Sequence, residues 1–381
     1  MSLFFITFFA VYGGVHVYAF LKARAALHFG TVPGIFAALF MVCMTLAPFV
    51  IRMSEKYGFE TVARMFSYFG YAWLGILFLF FSSSLMLDMY RLCIKAGEFL
   101  LHLDLVRLRP AAGVQFFAPL CIALVIAAYG YFEAQDIKTE KITVYSDKLT
   151  HATGRVRIVQ ISDLHLGLII GEERLRRVLQ AVKDAKPDIL VSTGDLVDGQ
   201  INGMSGLAEI FTGMNPPYGK YAITGNHEFY AGLEQALAFT RKSGFRVLRN
   251  EAVDIGGVLT IAGVDDRAVR PRTVIGDVVE KEMLSQLPRG TFTLLLKHRP
   301  LVDRDSVGLF DLQLSGHVHR GQIFPFSIAT KLYYPVDAGL AAIGGGSQLY
   351  VSRGTGTWGP PIRFLSPPEI TVIDLVHDPE G

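Results

Sequence analysis

Read for hydrophobic and polar positions alone, the chain changes character near residue 132. Upstream, the stretches 1–21, 29–51, 65–87 and 110–132 contain no Asp, Glu, Lys or Arg. Each is long enough to cross a hydrocarbon core of about 30 Å, which takes about 20 helical residues. Four transmembrane helices are therefore predicted. The first stretch has the length of a signal peptide, but Lys22 and Arg24 follow the apolar run instead of preceding it, so a retained helix is expected. Between the third and fourth spans, 88–110 mixes Leu, Ile and Phe with Arg and Lys at helical spacing. That segment reads equally as an interfacial amphipathic helix or as a loop helix in the cytosol.

Downstream the periods shorten. Apolar runs at 155–162, 188–193, 221–224, 245–248, 258–264, 292–296, 312–315, 348–352 and 370–375 read as strands. Helical spacing occurs in 172–186, where Leu175, Val178, Leu179 and Val182 share a face, and again in 233–243 and 278–287. Strand–helix alternation followed by a strand-rich half predicts an α/β fold, a layered sheet assembly flanked by helices, and more antiparallel toward its end. The expected organisation is a membrane region over 1–132, a linker over 133–152 and a single domain over 153–381.

Composition sharpens this division. The 381 residues are 51% hydrophobic and 18% charged, with mean hydropathy +0.37; an ordinary soluble chain carries about 25% charge. A net charge of +2 weighs against a nucleic-acid surface as the main purpose. Cys43, Cys93 and Cys121 all fall in the membrane third, so cysteine says nothing about the redox state around the domain. Lys22, Arg24, Arg91, Lys95, Arg107 and Arg109 lie in the first and third loops, against Arg52, Lys56 and Arg64 in the second. The excess places the first and third loops in the cytoplasm and the domain outside it, although Lys138, Lys141 and Lys148 would even the count.

Candidate chemistry sits where strands end. Six of the ten histidines lie beyond residue 152, and five of them fall in a few short segments. "SDLHLG" supplies Asp163 and His165, "TGDLVDG" Asp195, "TGNHEF" Asn226 and His227, "TLLLKH" His298, and "LSGHVHRGQ" His317 and His319. Carboxylate, imidazole and amide oxygen without thiolate suits Mn, Fe, Zn or similar ions. Asp163, His165, Asp195, Asn226, His298, His317 and His319 make seven candidate ligands, more than one tetrahedral ion takes and about right for two ions sharing a carboxylate.

D-x-H, G-D-x-x-D, G-N-H-E, a lone His and G-H-x-H, all in order across 155–375, resemble the calcineurin-like superfamily of binuclear metallophosphoesterases. The resemblance implies a β-sandwich flanked by helices and two divalent ions at its strand ends. By motif position it gives Asp163, His165 and His319 to one ion, Asn226, His298 and His317 to the other, and Asp195 to both. It also implies that a hydroxide between the ions attacks phosphorus in line, with His227 stabilising the transition state or protonating the leaving oxygen. Asp198 is expected to be structural, and Glu228 to orient a neighbouring group.

The tail "RGTGTWGPPIRFLSPPEI" (353–370) resembles a bacterial membrane-anchored phosphodiesterase branch related to UDP-2,3-diacylglucosamine hydrolase. A bacterial cell or inner membrane and a lipid- or envelope-linked phosphate ester are the location and substrate this implies, with no nucleic acid and no obligate protein partner expected. The runner-up is a membrane sensor or scaffold that keeps the fold for binding. Arg320 and Arg353 are candidate substrate ligands, among clamp candidates that also include Arg270, Arg272, Arg299 and Arg363. Apolar residues at 168–170 and 323–335 are a candidate rim for an acyl chain, or core.

Overall fold

The structure, a computed structural model, describes residues 2–151, 154–199, 205–266, 268 and 275–378. It divides into two compact units, one of 1–132 with 359–364 and one of 133–358 with 365–381.

The first unit is built on α1 (Ser2–Leu27), α2 (Thr31–Lys56), α3 (Glu60–Leu101) and α4 (Ala112–Gln135). All four are long and apolar enough to cross a membrane. α3 is continuous for 42 residues, about 63 Å at 1.5 Å per residue. Most of the amphipathic segment is thus an extension of the third span. No Pro or Gly interrupts the chain from Ser82 to Lys95, so charge there marks exit from hydrocarbon and not the end of a helix. α2 approaches α3 closely at Gly70, where a Cβ would lie 2.9 Å from that of Ala47. His16 is buried between helices: its Nδ1 lies 2.8 Å from the Tyr12 carbonyl, and Trp73 Nε1 donates to its Nε2 at 2.9 Å.

The second unit stacks two six-stranded sheets. The first contains β1 (Lys138–Ser146), β2 (Arg155–Ile161), β3 (Ile189–Ser192), β4 (Lys220–Ala222) and β5 (Arg246–Val247). The second contains β6 (Glu251–Ile255), β7 (Leu259–Gly263), β8 (Phe292–Leu296), β9 (Leu312–Ser315), β10 (Gly339–Gly344) and β11 (Ser347–Val351). The last strand, β12 (Glu369–His377), returns to the first sheet, whose order is β1-β12-β2-β3-β4-β5. The second runs β10-β11-β9-β8-β7-β6.

Alternation along the strands builds two apolar layers. Ile158, Ile189, Val191, Ile373 and Leu375 face Ile261, Leu294, Leu296, Leu312 and Leu314 between the sheets. Their neighbours Val159, Leu190, Ile370 and Val372 point the other way. They pack under α5 (Glu172–Ala185), α6 (Ser205–Thr212) and α8 (Leu233–Lys242) through Leu175, Val178, Phe211 and Phe239. Burial on both faces explains why these strands read as unbroken apolar runs. On the outer face of the second sheet, Leu284 of α9 (Ile275–Ser285) packs with Ala262, Val264 and Leu295.

The expected linker is partly strand: within 133–152, β1 pairs in parallel with β12. Ile142 and Val144 alternate with polar residues there and pack into the inter-sheet core. β6, β10, α6, the short α7 (Asn226–Ala231) and α10 (Phe326–Tyr333) are further elements not anticipated from the sequence.

Candidate metal centre

Every candidate ligand lies just past the carboxyl end of a strand, where an open α/β sheet exposes loop side chains. Asp163 and His165 follow β2, Asp195 follows β3, Asn226 and His227 open α7 after β4, His298 follows β8, and His317 and His319 follow β9. The loops are laced together through the backbone. Asp163 N–H donates to Gly194 O and His165 N–H to Asp195 O, each at 3.0 Å, and Gly316 N–H to His298 O at 2.8 Å. The Asp163 carboxylate accepts from His317 N–H at 3.0 Å, which joins the first sheet's loop to the second's.

Glycine makes this closeness possible. A Cβ on Gly316 would stand 1.9 Å from Ser162 Oγ and 2.1 Å from Asp163 Oδ2, and one on Gly225 would stand 2.1 Å from Asp195 Oδ1. Asp163, His165, Asp195, His317 and His319 all adopt left-handed backbone, with φ between 45° and 73°.

The side chains converge into three groups whose ligand atoms lie within 4.8 Å of one another: Asp163–His165–His319, His165–Asp195–His227 and Asp195–His298–His317. Asp195 is common to the last two, with Oδ2 3.9 Å from His165 Nε2 and 3.2 Å from His298 Nε2. His165 Nε2 and His319 Nε2 stand 3.1 Å apart, and His298 Nε2 is 3.2 Å from His317 Nδ1. Such spacings are those of two nitrogens each about 2.1 Å from a shared ion. His298 Nδ1 lies 2.8 Å from Thr193 O, so donation there leaves Nε2 as a ligand lone pair. The Asn226 Oδ1 is buried and has no hydrogen-bond partner among the described residues. A buried acceptor without a donor is costly, and a cation satisfies it. The residues fit divalent metal.

Charge in the cluster points the same way. Burial alone would raise the Asp195 pKa, but His298, His227 and His165 hold it well below the carboxylate range. Asp163 is raised, by burial first and with Asp195 adding to it. Burial works against charge on His298, yet Asp195 and Asp163 bring it up to about 10. His317 is pushed down to about 2 by burial and by the positive neighbours His298 and Arg299. Concentrated buried carboxylate recruits positive charge, and a metal ion supplies it.

Two carboxylates do more than their sequence context suggests. Asp198 Oδ1 lies 2.8 Å from His227 Nδ1 and 3.4 Å from His165 Nδ1. Burial opposes its ionisation, but the neighbouring His165 and His227 keep its pKa well below the usual range. His227 in turn rises to about 10, because Asp195 and Asp198 outweigh its burial. Asp198 thus engages Nδ1 of His227 and fixes the orientation of its ring. The signal was Asp198 three residues after Asp195 in a turn. Glu228 accepts from the amides of Gly225 at 2.6 Å, Asp195 at 3.0 Å and Leu196 at 2.8 Å, fixing the Asp195 loop.

Around the cluster, Trp358 and Tyr230 stand edge-on to His227, at 5.9 and 5.4 Å, and Tyr334 to His317 at 6.0 Å. Of residues 168–170, Ile170 is buried and Ile169 packs on the same core, while Leu168 is half-buried. Exposed apolar side chains do occur within 323–335, at Phe324, Phe326, Ile328, Leu332 and Tyr333. Arg320 is exposed beside His319, with φ 48°. Arg353 turns into the fold, 2.6 Å from Glu369 and paired also with Glu140, so its charge is already met. Arg299 pairs with Asp266 at 2.8 Å. Arg363 is fully buried in the first unit, and Arg270 and Arg272 lie outside the described residues.

The family profile described as calcineurin-like phosphoesterase matches residues 156–321. A metallophosphoesterase of Aquifex aeolicus, described as uncharacterized, is 41% identical over 255 residues, 67% of this chain and 97% of its own. A transmembrane protein with metallophosphoesterase domain from Danio rerio is 33% identical over 269 residues, 67% of this chain and 61% of its own. Among solved structures, a 5'-nucleotidase precursor from Thermus thermophilus is 16% identical with a TM-score of 0.36, over 59% of this chain and 55% of that one. The chain belongs to the calcineurin-like metallophosphoesterases, a metal-dependent family of phosphoester hydrolases.

Proposed function

We propose that this chain is a membrane-anchored phosphodiesterase or pyrophosphatase with a two-ion centre, acting on a lipid- or envelope-linked phosphate ester outside the cytoplasm. The observation that carries it is Asp195, shared between ligand groups and flanked by the Asp198–His227 pair. Asp163, His165 and His319 would hold one ion, Asn226, His298 and His317 the other, and Asp195 both. Bound there, divalent ions supply Lewis acidity toward phosphoryl oxygen and lower the pKa of water. The protein's own part is positional. His298 is locked by Thr193, the Asp195 loop is fixed by Glu228, and His227, charged and oriented by Asp198, stands ready to give a proton to the leaving oxygen. Arg320, exposed beside His319, would meet a phosphate of the substrate. The substrate class follows from tethering: only residues 136 and 137 separate α4 from β1, so the domain works close to the bilayer.

The test uses full-length protein in detergent, stripped of metal and then given Mn²⁺, with an aryl phosphodiester and a monoester as substrates. Metal-dependent diester cleavage, lost in Asp195→Ala and His317→Ala, and two ions per chain by elemental analysis are expected. Well-folded protein that takes up no metal would overturn the assignment. Sidedness is read separately, in intact cells, from labelling of Lys183→Cys by a membrane-impermeant maleimide, since the second unit has no cysteine of its own.

A further inference from the structure

α10 is an eight-residue helix with no buried residue. Leu332 is 84% exposed, and Phe326, Ile328 and Tyr333 each exceed half exposure, with Phe324 just ahead of them. Isolated apolar residues on a surface need no explanation, but five within ten positions form a patch that water penalises. From Gly316 to Val336 the chain carries Arg320 and Lys331 and no acidic residue, and Asp337 comes next. The helix is also welded to the site. A Cβ on Gly321 would lie 2.4 Å from Ser327 N, so the loop bearing His317 and His319 abuts the start of α10 at backbone distance. The next residue after α10, Tyr334, is buried against His317. Gln322 then clamps the Trp358 loop, donating to Trp358 O and accepting from Trp358 N–H, both at 2.9 Å. Trp358, half exposed, extends the apolar rim to the side of His227.

We propose that α10, with Phe324 and Trp358, is an interfacial element that inserts into an anionic bilayer surface and sets the mouth of the metal centre at headgroup depth. The occupant is a lipid bilayer because the chain itself supplies one within reach: four helices fit to span, joined to the domain by two residues. Apolar side chains interleaved with cations and no acid match acyl chains beneath anionic headgroups. Docking would bring a lipid phosphate to His227 and His317 without extracting its acyl chains. That consequence for the substrate rests on the phosphoesterase reading; the docking itself does not.

The experiment reconstitutes the full chain, with Cys43, Cys93 and Cys121 replaced by Ala, into vesicles of phosphatidylethanolamine and phosphatidylglycerol. A fluorophore is placed on Leu332→Cys or, as control, on the exposed Lys183→Cys. Nitroxide lipid labelled near the headgroup should quench at 332 and not at 183, with weaker quenching from nitroxide at the acyl terminus. Equal quenching at both sites overturns the proposal. So does cross-linking of Leu332→Cys between copies without quenching, which would give the face to a second copy. In a parallel arm, Ile328→Ser with Leu332→Ser should raise the apparent KM for a vesicle-embedded phosphodiester roughly tenfold or more, as lost apolar burial implies, and leave turnover of a water-soluble aryl diester unchanged. No diester turnover by the unmodified protein would count against the phosphoesterase reading, and the quenching would still decide the docking.

Discussion

Left-handed backbone at Asp163, His165, Asp195, His317 and His319 is a local cost carried at residues of the candidate ligand groups. Asp and His tolerate this region better than most side chains, and strain of about 1–3 kcal/mol each persists only where the surroundings enforce it. Here the enforcement is visible in the amide bonds among the loops and in glycines that leave no room for a methyl. Gly225→Ala should therefore destabilise the domain by about 1–3 kcal/mol, as overpacking does. It should also lower metal content, because the new methyl displaces Asp195; thermal melts and elemental analysis check both. Arg320 shares the left-handed conformation without being a candidate metal ligand. Relief of about 1–2 kcal/mol against the extra chain entropy of glycine should make Arg320→Gly more stable by roughly 0.5 kcal/mol. If Arg320 also meets phosphate, the same variant loses kcat/KM while its melting temperature rises, a split that strain alone would not give. Asp198→Asn should keep metal content and lower kcat for the diester by about 10²-fold or more, since it removes the charge that orients His227 as an acid. Loss of metal in that variant would make Asp198 a support for His165 instead.

At the scale of elements, β2 and β12 are joined by a bidentate cross-strand pair, with Arg157 Nε and Nη2 2.7 and 2.9 Å from the Asp374 carboxylate. Arg157 holds the Asp374 pKa below its usual value, against the effect of burial. A depressed carboxylate contributes stability above its unfolded pKa of about 3.9, and loses it as pH falls through the folded value. Asp374→Asn should cost about 1 kcal/mol at neutral pH, with the difference vanishing in acid, as paired melts at the two pH values would show. Neither residue reads as a pair in the sequence, being 217 positions apart. The same distance hid β1: "KTEKITVYS" is weakly apolar, and only β12 makes it a strand. Elements whose apolar period is complete in themselves, such as α5 and β8, were legible because both faces of the sheets are buried and their runs are unbroken. Hydropathy divides α3 because it reports the thickness of hydrocarbon, whereas the helix goes on until the left-handed His102. Candidate site residues stand out for another reason. Metal chemistry restricts donor types so strongly that Asp, His and Asn at five strand ends stand out, while Asp198 and Glu228 work through backbone and imidazole contacts that any turn could contain.

For the whole molecule, the two units differ in what holds them. The first satisfies its backbone within helices, and the second depends on pairing strands from distant parts of the chain. Ile373 is fully buried between the sheets, so Ile373→Ala should destabilise the second unit by about 2–5 kcal/mol. Limited proteolysis should then cut 133–358 sooner and leave the helices intact. β12 lies between β1 and β2 in its sheet. While residues 369–377 are still unmade, β1 has no neighbour and β2 lacks one of its two, although the spans before them and the ligand-bearing loops between them have already left the ribosome. The first sheet, which carries the loops of Asp163, His165, Asp195 and Asn226, therefore closes only as β12 arrives. The enzyme is assembled late, at a membrane its first helices have already entered.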